Sequence, residues 1–308
     1  MDFITEILKA AVRSGTPLLY ATLGEILTER SGVLNLGLEG LMLMGAISGF
    51  AVSYMTGNLF LALIVAFVMG GLLAFVHAFF TVTLKVNQVV SGLAVAMLGS
   101  GISGFWGRGF VGKTAKQFYP IKIPVLSNIP IIGPTFFNQD IMVYMSYILI
   151  PIFGFWLYKT KYGLILRAVG EKPGAADARG INVSFVRYFY TIFGGAIVAL
   201  GGAYLSLAYT SMWIENMTAG RGWIAVALVI FATWDPYKAL IGAYLFGGIA
   251  SLQLRMQAWG VTIPSHIMMM FPYIATLVIL AMTSSEKLKM KLGAPTALGD
   301  PYSREERN

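Results

Sequence analysis

The chain is built from long apolar blocks separated by short polar breaks. Nine blocks, at 14–29, 33–56, 59–84, 88–107, 141–158, 188–210, 218–234, 239–257 and 267–283, are read as helical passes through a bilayer. A hydrocarbon core of about 30 Å takes about 20 apolar residues per helix, and only a helix satisfies its own backbone in lipid. The pattern predicts an all-α, polytopic transmembrane helical bundle. Residues 2–12 place Phe3, Ile4, Ile7 and Leu8 at helical spacing, which suits a short amphipathic helix at the interface, so 1–13 is set apart from the membrane domain, 14–291. The first block carries Glu25 and lacks a small-residue cleavage site, so it reads as a span and not a removable leader.

Composition narrows the class. Of 308 residues, 57% are hydrophobic and 12% charged, with a mean hydropathy of +0.72. Soluble domains carry roughly 25% charged residues, so a water-soluble enzyme is excluded. There is no cysteine, hence no disulfide framework, thiolate metal site or cysteine catalysis. The net charge of +8 is not a nucleic-acid footprint, because the basic residues fall between apolar runs. They serve orientation instead. The segment 159–187 holds Lys159, Lys161, Arg167, Lys172, Arg179 and Arg187 against only Glu171 and Asp177, and is placed in the cytoplasm. The C-terminus, with Lys287, Lys289, Lys291, Arg304 and Arg307, follows on the same side, and an odd number of passes puts the N-terminus outside. The loop 108–139, interrupted by Pro120, Pro124, Pro130 and Pro134, is external, and 292–308 is expected to be a disordered cytoplasmic tail.

One motif misleads. Residues 107–114 (GRGFVGKT) match the phosphate-loop spacing, but that loop needs a strand before it and a helix after it. Here an apolar helix precedes it and prolines follow, so it is read as a coincidence in a chain with 35 glycines. His77 and His266 lie on different blocks without a second ligand at helical spacing, and read as core or interface residues. No catalytic constellation is present in the sequence.

What remains is polarity inside the membrane. Glu25 lies within the first block, and Asn35 and Glu39 open the second. In the second half, Asn216-Met217-Thr218-Ala219-Gly220-Arg221-Gly222 precedes an apolar run too short for a full crossing. Interrupted helices in two halves that start on opposite sides suggest an inverted repeat around a transport pathway, while close helix packing explains the glycines equally well. Asn35, Glu39, Asn87, Gln88 and Glu25 are the candidate pathway residues.

The loop motif Gly174-Ala175-Ala176-Asp177-Ala178-Arg179-Gly180, followed by Ile181-Asn182, resembles the E-A-A-x-x-x-G loop of ATP-binding-cassette (ABC) importer permeases. Gly174 stands where that family usually has Glu, so the contact such a glutamate would make is not carried over. Further segments, Glu29–Gly40, Arg167–Glu171 and Gly220–Ala225, are similar to the simple-sugar and nucleoside branch, and within it to the nucleoside permeases. The resemblance implies that Gly174, Ala175, Ala176, Asp177, Arg179, Gly180, Ile181 and Asn182 form a coupling helix that docks on a cytoplasmic ATPase. It further implies a second permease subunit, an extracytoplasmic solute-binding protein and a place in a bacterial cytoplasmic membrane, with no cofactor and no catalysis by this chain. Nucleosides are the expected cargo, and simple sugars the alternative. An ion-coupled secondary transporter using Glu25 or Glu39 is the rival class.

Overall fold

A computed structural model describes residues 3–258, the positions 267, 270, 271, 274, 277 and 278, and residues 293–303. Eleven helices are found among them: α1 (Phe3–Arg30), α2 (Leu38–Thr56), α3 (Leu59–Ala78), α4 (Gln88–Gly107), α5 (Ile132–Phe136), α6 (Ile141–Lys159), α7 (Lys161–Glu171), α8 (Pro173–Ala178), α9 (Val183–Tyr204), α10 (Arg221–Phe231) and α11 (Pro236–Ala258). Single π-helical turns, Phe79–Thr83 and Leu205–Tyr209, extend α3 and α9. The helices end where the sequence supplies caps. Asn58, Asn87, Asp140, Thr160 and Asn182 each accept hydrogen bonds from the first free backbone N–H groups of the following helix. Among the described residues, five helices are long and apolar enough to cross a membrane: α2, α3, α4, α6 and α9, three of them counted with their terminal turns. At 11 residues, α10 spans only about 16 Å, too short for a crossing. The ninth expected pass, 267–283, lies mostly outside the described residues, as does His266.

The core is organised around α9, which packs on α1, α2 and α3 and is the most completely enclosed of the candidate spans. Small residues permit this. A Cβ on Gly45 would lie 1.9 Å from the Ala199 carbonyl oxygen, and one on Gly202 would lie 1.8 Å from that of Met42, so backbone meets backbone across the α2–α9 contact. α1 runs antiparallel to α9, with Gly24 against Gly194 and Pro17 against Gly201.

Two sequence expectations change here. The division between an interfacial helix and a first span is absent, because α1 continues unbroken through residues 13 and 14. Its first half is seated on the bundle. Arg13 donates to the Ala208 carbonyl, Ser14 meets the Tyr209 hydroxyl, and Glu6 pairs with Arg255 at 3.5 Å. The tail expected to be disordered is folded over 293–303, with Pro295 and Ala297 buried, because buried arginines of the bundle take its carbonyls as acceptors. The loop 108–139 follows its prolines: a 3-10 turn at Arg108–Phe110, the short α5, and a two-residue antiparallel pair, β1 (Ile121–Lys122) with β2 (Asn138–Gln139). The phosphate-loop match lies at the end of α4 with no helix after it, which leaves it without the helix N-terminus that holds phosphate.

Candidate functional site, where two helix breaks meet

α1 and α2 are joined by an extended elbow at residues 31–37, and α9 and α10 by an irregular segment at 210–220. α1 and α9 are antiparallel, so the two broken units run in opposite senses. Their tips touch. The Glu39 carboxylate, in the first turn of α2, accepts from the Thr218 hydroxyl at 2.5 Å and from the backbone N–H groups of Gly220 at 2.8 Å and Gly222 at 2.7 Å. An anion thus caps the N-terminus of α10, where free N–H groups and the helix dipole favour negative charge. Asn216, Ala219 and Gly220 all have positive φ, which lets the segment turn sharply enough to present those donors.

The elbow is held in the same manner. Glu25 accepts from the Asn35 N–H at 3.1 Å, the Asn35 side chain accepts from the Gly37 N–H at 2.8 Å, and Gln88 accepts from the Leu34 N–H at 2.6 Å. His77 Nε2 lies 3.1 Å from the Leu34 carbonyl oxygen and Nδ1 lies 3.0 Å from the Ser91 hydroxyl, so a neutral imidazole carrying its proton on Nε2 satisfies both. Asn87 caps α4 through the Val90 N–H. Four of the five candidate pathway residues, Glu25, Asn35, Glu39 and Gln88, are therefore engaged with backbone that the breaks leave unpaired, and Asn87 caps the start of α4. The structure brings Glu25, Asn35 and Gln88 together at the elbow and places Glu39 just after it in the first turn of α2, while Asn87 lies at the start of α4.

The sequence reading passed over several residues. Glu29 accepts from the Trp234 indole N–H at 2.5 Å, and Arg30 donates to the Trp234 carbonyl, which fastens the end of α1 to the turn before α11. Ser100 on α4 lies 3.5 Å from the Asn216 carboxamide oxygen, and the exposed Glu215 side chain lies beside Gly104. The Arg221 guanidinium lies 5.8 Å from the centre of the Tyr209 ring. Glu29 and Arg30 are buried, whereas Glu215 and Asn216 are exposed beside the apolar surface of α4, and polar residues near a predicted break were the only sequence signal for the latter pair.

At the end of the bundle where α6 and α9 meet the connecting segment, α7 leads into α8. Pro173 opens α8, Gly180 follows it at φ 81°, and the Ile181 N–H returns to the Ala176 carbonyl, closing the helix as a C-cap should. Ala176 is buried against the bundle, whereas Gly174, Ala175, Ala178, Arg179 and Gly180 are exposed. The element therefore presents a surface of small side chains edged by charge. A cleft of about 460 Å³ adjoins it, walled by Val82, Lys85, Asp177, Asn182, Tyr302 and Ser303 among others. No group of side chains suited to a metal ion is found among the described residues.

Comparison with known proteins bears on the same region. The chain is 40% identical over 327 aligned positions, 99% of each chain, to the putative glucose ABC transporter permease of Haloferax volcanii. It is 35% identical over 324 positions to the guanosine ABC transporter permease of Bacillus subtilis, covering 100% of this chain and 99% of that one. Identity to the nucleoside ABC transporter permease of Lactococcus lactis is 33% over 300 positions, 93% of each. No solved structure matches the chain significantly. The profile of the family described as the permease component of the branched-chain amino acid transport system matches residues 7–283, a range that takes in both helix breaks and α8, and the chain is a multi-pass membrane protein belonging to that permease family.

Proposed function

We infer that the protein is the permease subunit of an ATP-driven importer for nucleosides in a bacterial cytoplasmic membrane. The observation that carries this reading is α8, a short capped helix at one end of the bundle whose exposed small residues suit close docking of a cytoplasmic ATPase, in a chain whose family consists of transport permeases. ATP hydrolysis belongs to that partner, and this chain shifts between outward- and inward-facing populations. A second permease subunit completes the pathway, and an extracytoplasmic solute-binding protein delivers the cargo. Relatives named for guanosine and nucleosides support nucleosides as substrate, and the relative named for glucose supports a second reading with simple sugars as cargo.

The pathway has two kinds of residue in this reading. Glu25, Asn35, Glu39, Asn87 and Gln88 keep the broken backbone in shape beside the route, and Ser100, Glu215 and Asn216 offer accessible acceptors and donors to ribose hydroxyls or base N–H groups. The test is reconstitution of the chain with its ATPase and binding protein in vesicles. Uptake of labelled guanosine that requires ATP supports the reading, and uptake by the chain alone on a pH gradient overturns it.

A further inference from the structure

The folded part of the C-terminal segment lies across three elements that the proposed coupling mechanism must keep in register. The Ala297 N–H donates to the Gly170 carbonyl at the end of α7, and Thr296 bonds to the Glu171 backbone and side chain. The Gly299 N–H donates to the Gly32 carbonyl in the α1–α2 elbow, and Arg30 donates to the Gly293 carbonyl. Arg187 near the start of α9, only 1% exposed, donates to the Asp300 carbonyl at 2.9 Å. Tyr302 and Ser303 then help to wall the cleft beside α8.

Two glycines mark where the fit is tightest. Gly32, at φ 88°, sits where a Cβ would approach Arg187 Nη2 to 2.9 Å and the Ala297 carbonyl oxygen to 3.2 Å. A Cβ on Gly170 would lie 2.3 Å from the Arg30 carbonyl oxygen and 3.3 Å from Pro295. The elbow, the end of α7 and the C-terminal segment thus converge within contact distance. α8 itself buries only Ala176, so its own hold on the bundle is slight.

We propose that residues 293–303 are a strap that positions the coupling helix, joining α7 and α8 to the α1–α2 elbow so that force applied to 173–182 reaches the helix break at Asn35 and Glu39. The strap acts through backbone carbonyls and N–H groups, so its chemistry resides in its path more than in its side chains. It stays attached throughout the cycle and moves with the block it ties together. This inference rests on the importer reading, since it presumes an ATPase that pushes on α8.

The experiment compares the full chain, a chain ending at residue 303 and a chain ending at residue 292, each reconstituted with the ATPase and binding protein. The strap predicts that all three retain the ATPase and hydrolyse ATP, and that only the chain ending at 292 loses nucleoside uptake, by about tenfold or more, as a coupling defect would give. Undiminished uptake by the chain ending at 292 overturns the proposal. If that chain does not assemble, a second variant decides. The protein has no native cysteine, so Glu171→Cys with Thr296→Cys can be joined by a short thiol-bridging reagent. Uptake that survives bridging supports a strap that remains attached, and uptake lost on bridging and recovered on cleavage overturns it. Failure of the ATPase to co-purify with the full chain would instead defeat the importer reading itself.

Discussion

At Glu39 one side chain satisfies three donors from another element, and this sets the cost of changing it. Glu39→Ala leaves two N–H groups and a hydroxyl without their acceptor, which should cost about 2–4 kcal/mol. Glu39→Gln keeps one acceptor oxygen but turns an NH2 group toward a donor, so an intermediate loss is expected. Thermal unfolding in detergent orders the three proteins, and equal stabilities would show that the contact is not formed. The same arithmetic explains why polar positions were legible in the sequence while their role was not. An ionisable residue inside an apolar block stands out by composition alone. Which orphan N–H it satisfies depends on where a second helix breaks, nearly two hundred residues away, and the local pattern carries nothing about that. Glycine positions were legible in kind only. Gly202→Ala would press a methyl into the Met42 carbonyl, and should cost about 3 kcal/mol or more, measurable in the same unfolding assay.

Among the elements, the apolar blocks located the long helices well, because burial in lipid and burial in a bundle demand the same residues. The start of α1 is read as a separate element in the sequence because amphipathic spacing in its first turns is compatible with an interface and with a seat on another helix. Contacts to Ala208, Tyr209 and Arg255 decide between them, and all are remote in sequence. α8 shows how finely an element's two faces differ. Ala175→Glu places a charge on the exposed face, and should reduce ATPase co-purification while leaving the unfolding temperature of the permease unchanged. Ala176→Glu places the charge in the buried seat, and should lower that temperature, since a buried unpaired carboxylate is costly. A pair of variants that behaves alike would mean that α8 is not a docking element with one face committed to the bundle.

For the molecule as a whole, the described helices divide into an enclosed centre and an exposed periphery. α9 and α2 are mostly buried, whereas α3, α4 and α6 are each buried over less than half of their apolar stretch. The exposed side chains are mostly apolar, including Phe60, Leu72, Met97, Phe105 and Phe155, which suits lipid and a second subunit. Against that background the polar group of Ser100, Glu215 and Asn216 is where a solute would find hydrogen bonds. Replacing Asn216 by Ala should raise the nucleoside concentration needed for half-maximal uptake without altering ATPase binding, and an unchanged concentration dependence would remove it from the pathway. At one end of the bundle the elbow, α7 and residues 293–303 converge beside α8. The most direct test of the central claim is uptake of labelled guanosine and glucose into vesicles holding the permease, its ATPase and its binding protein. ATP-dependent accumulation of guanosine, little accumulation of glucose and loss of uptake in Ala175→Glu are the predicted results, and accumulation that proceeds without ATP would contradict the account.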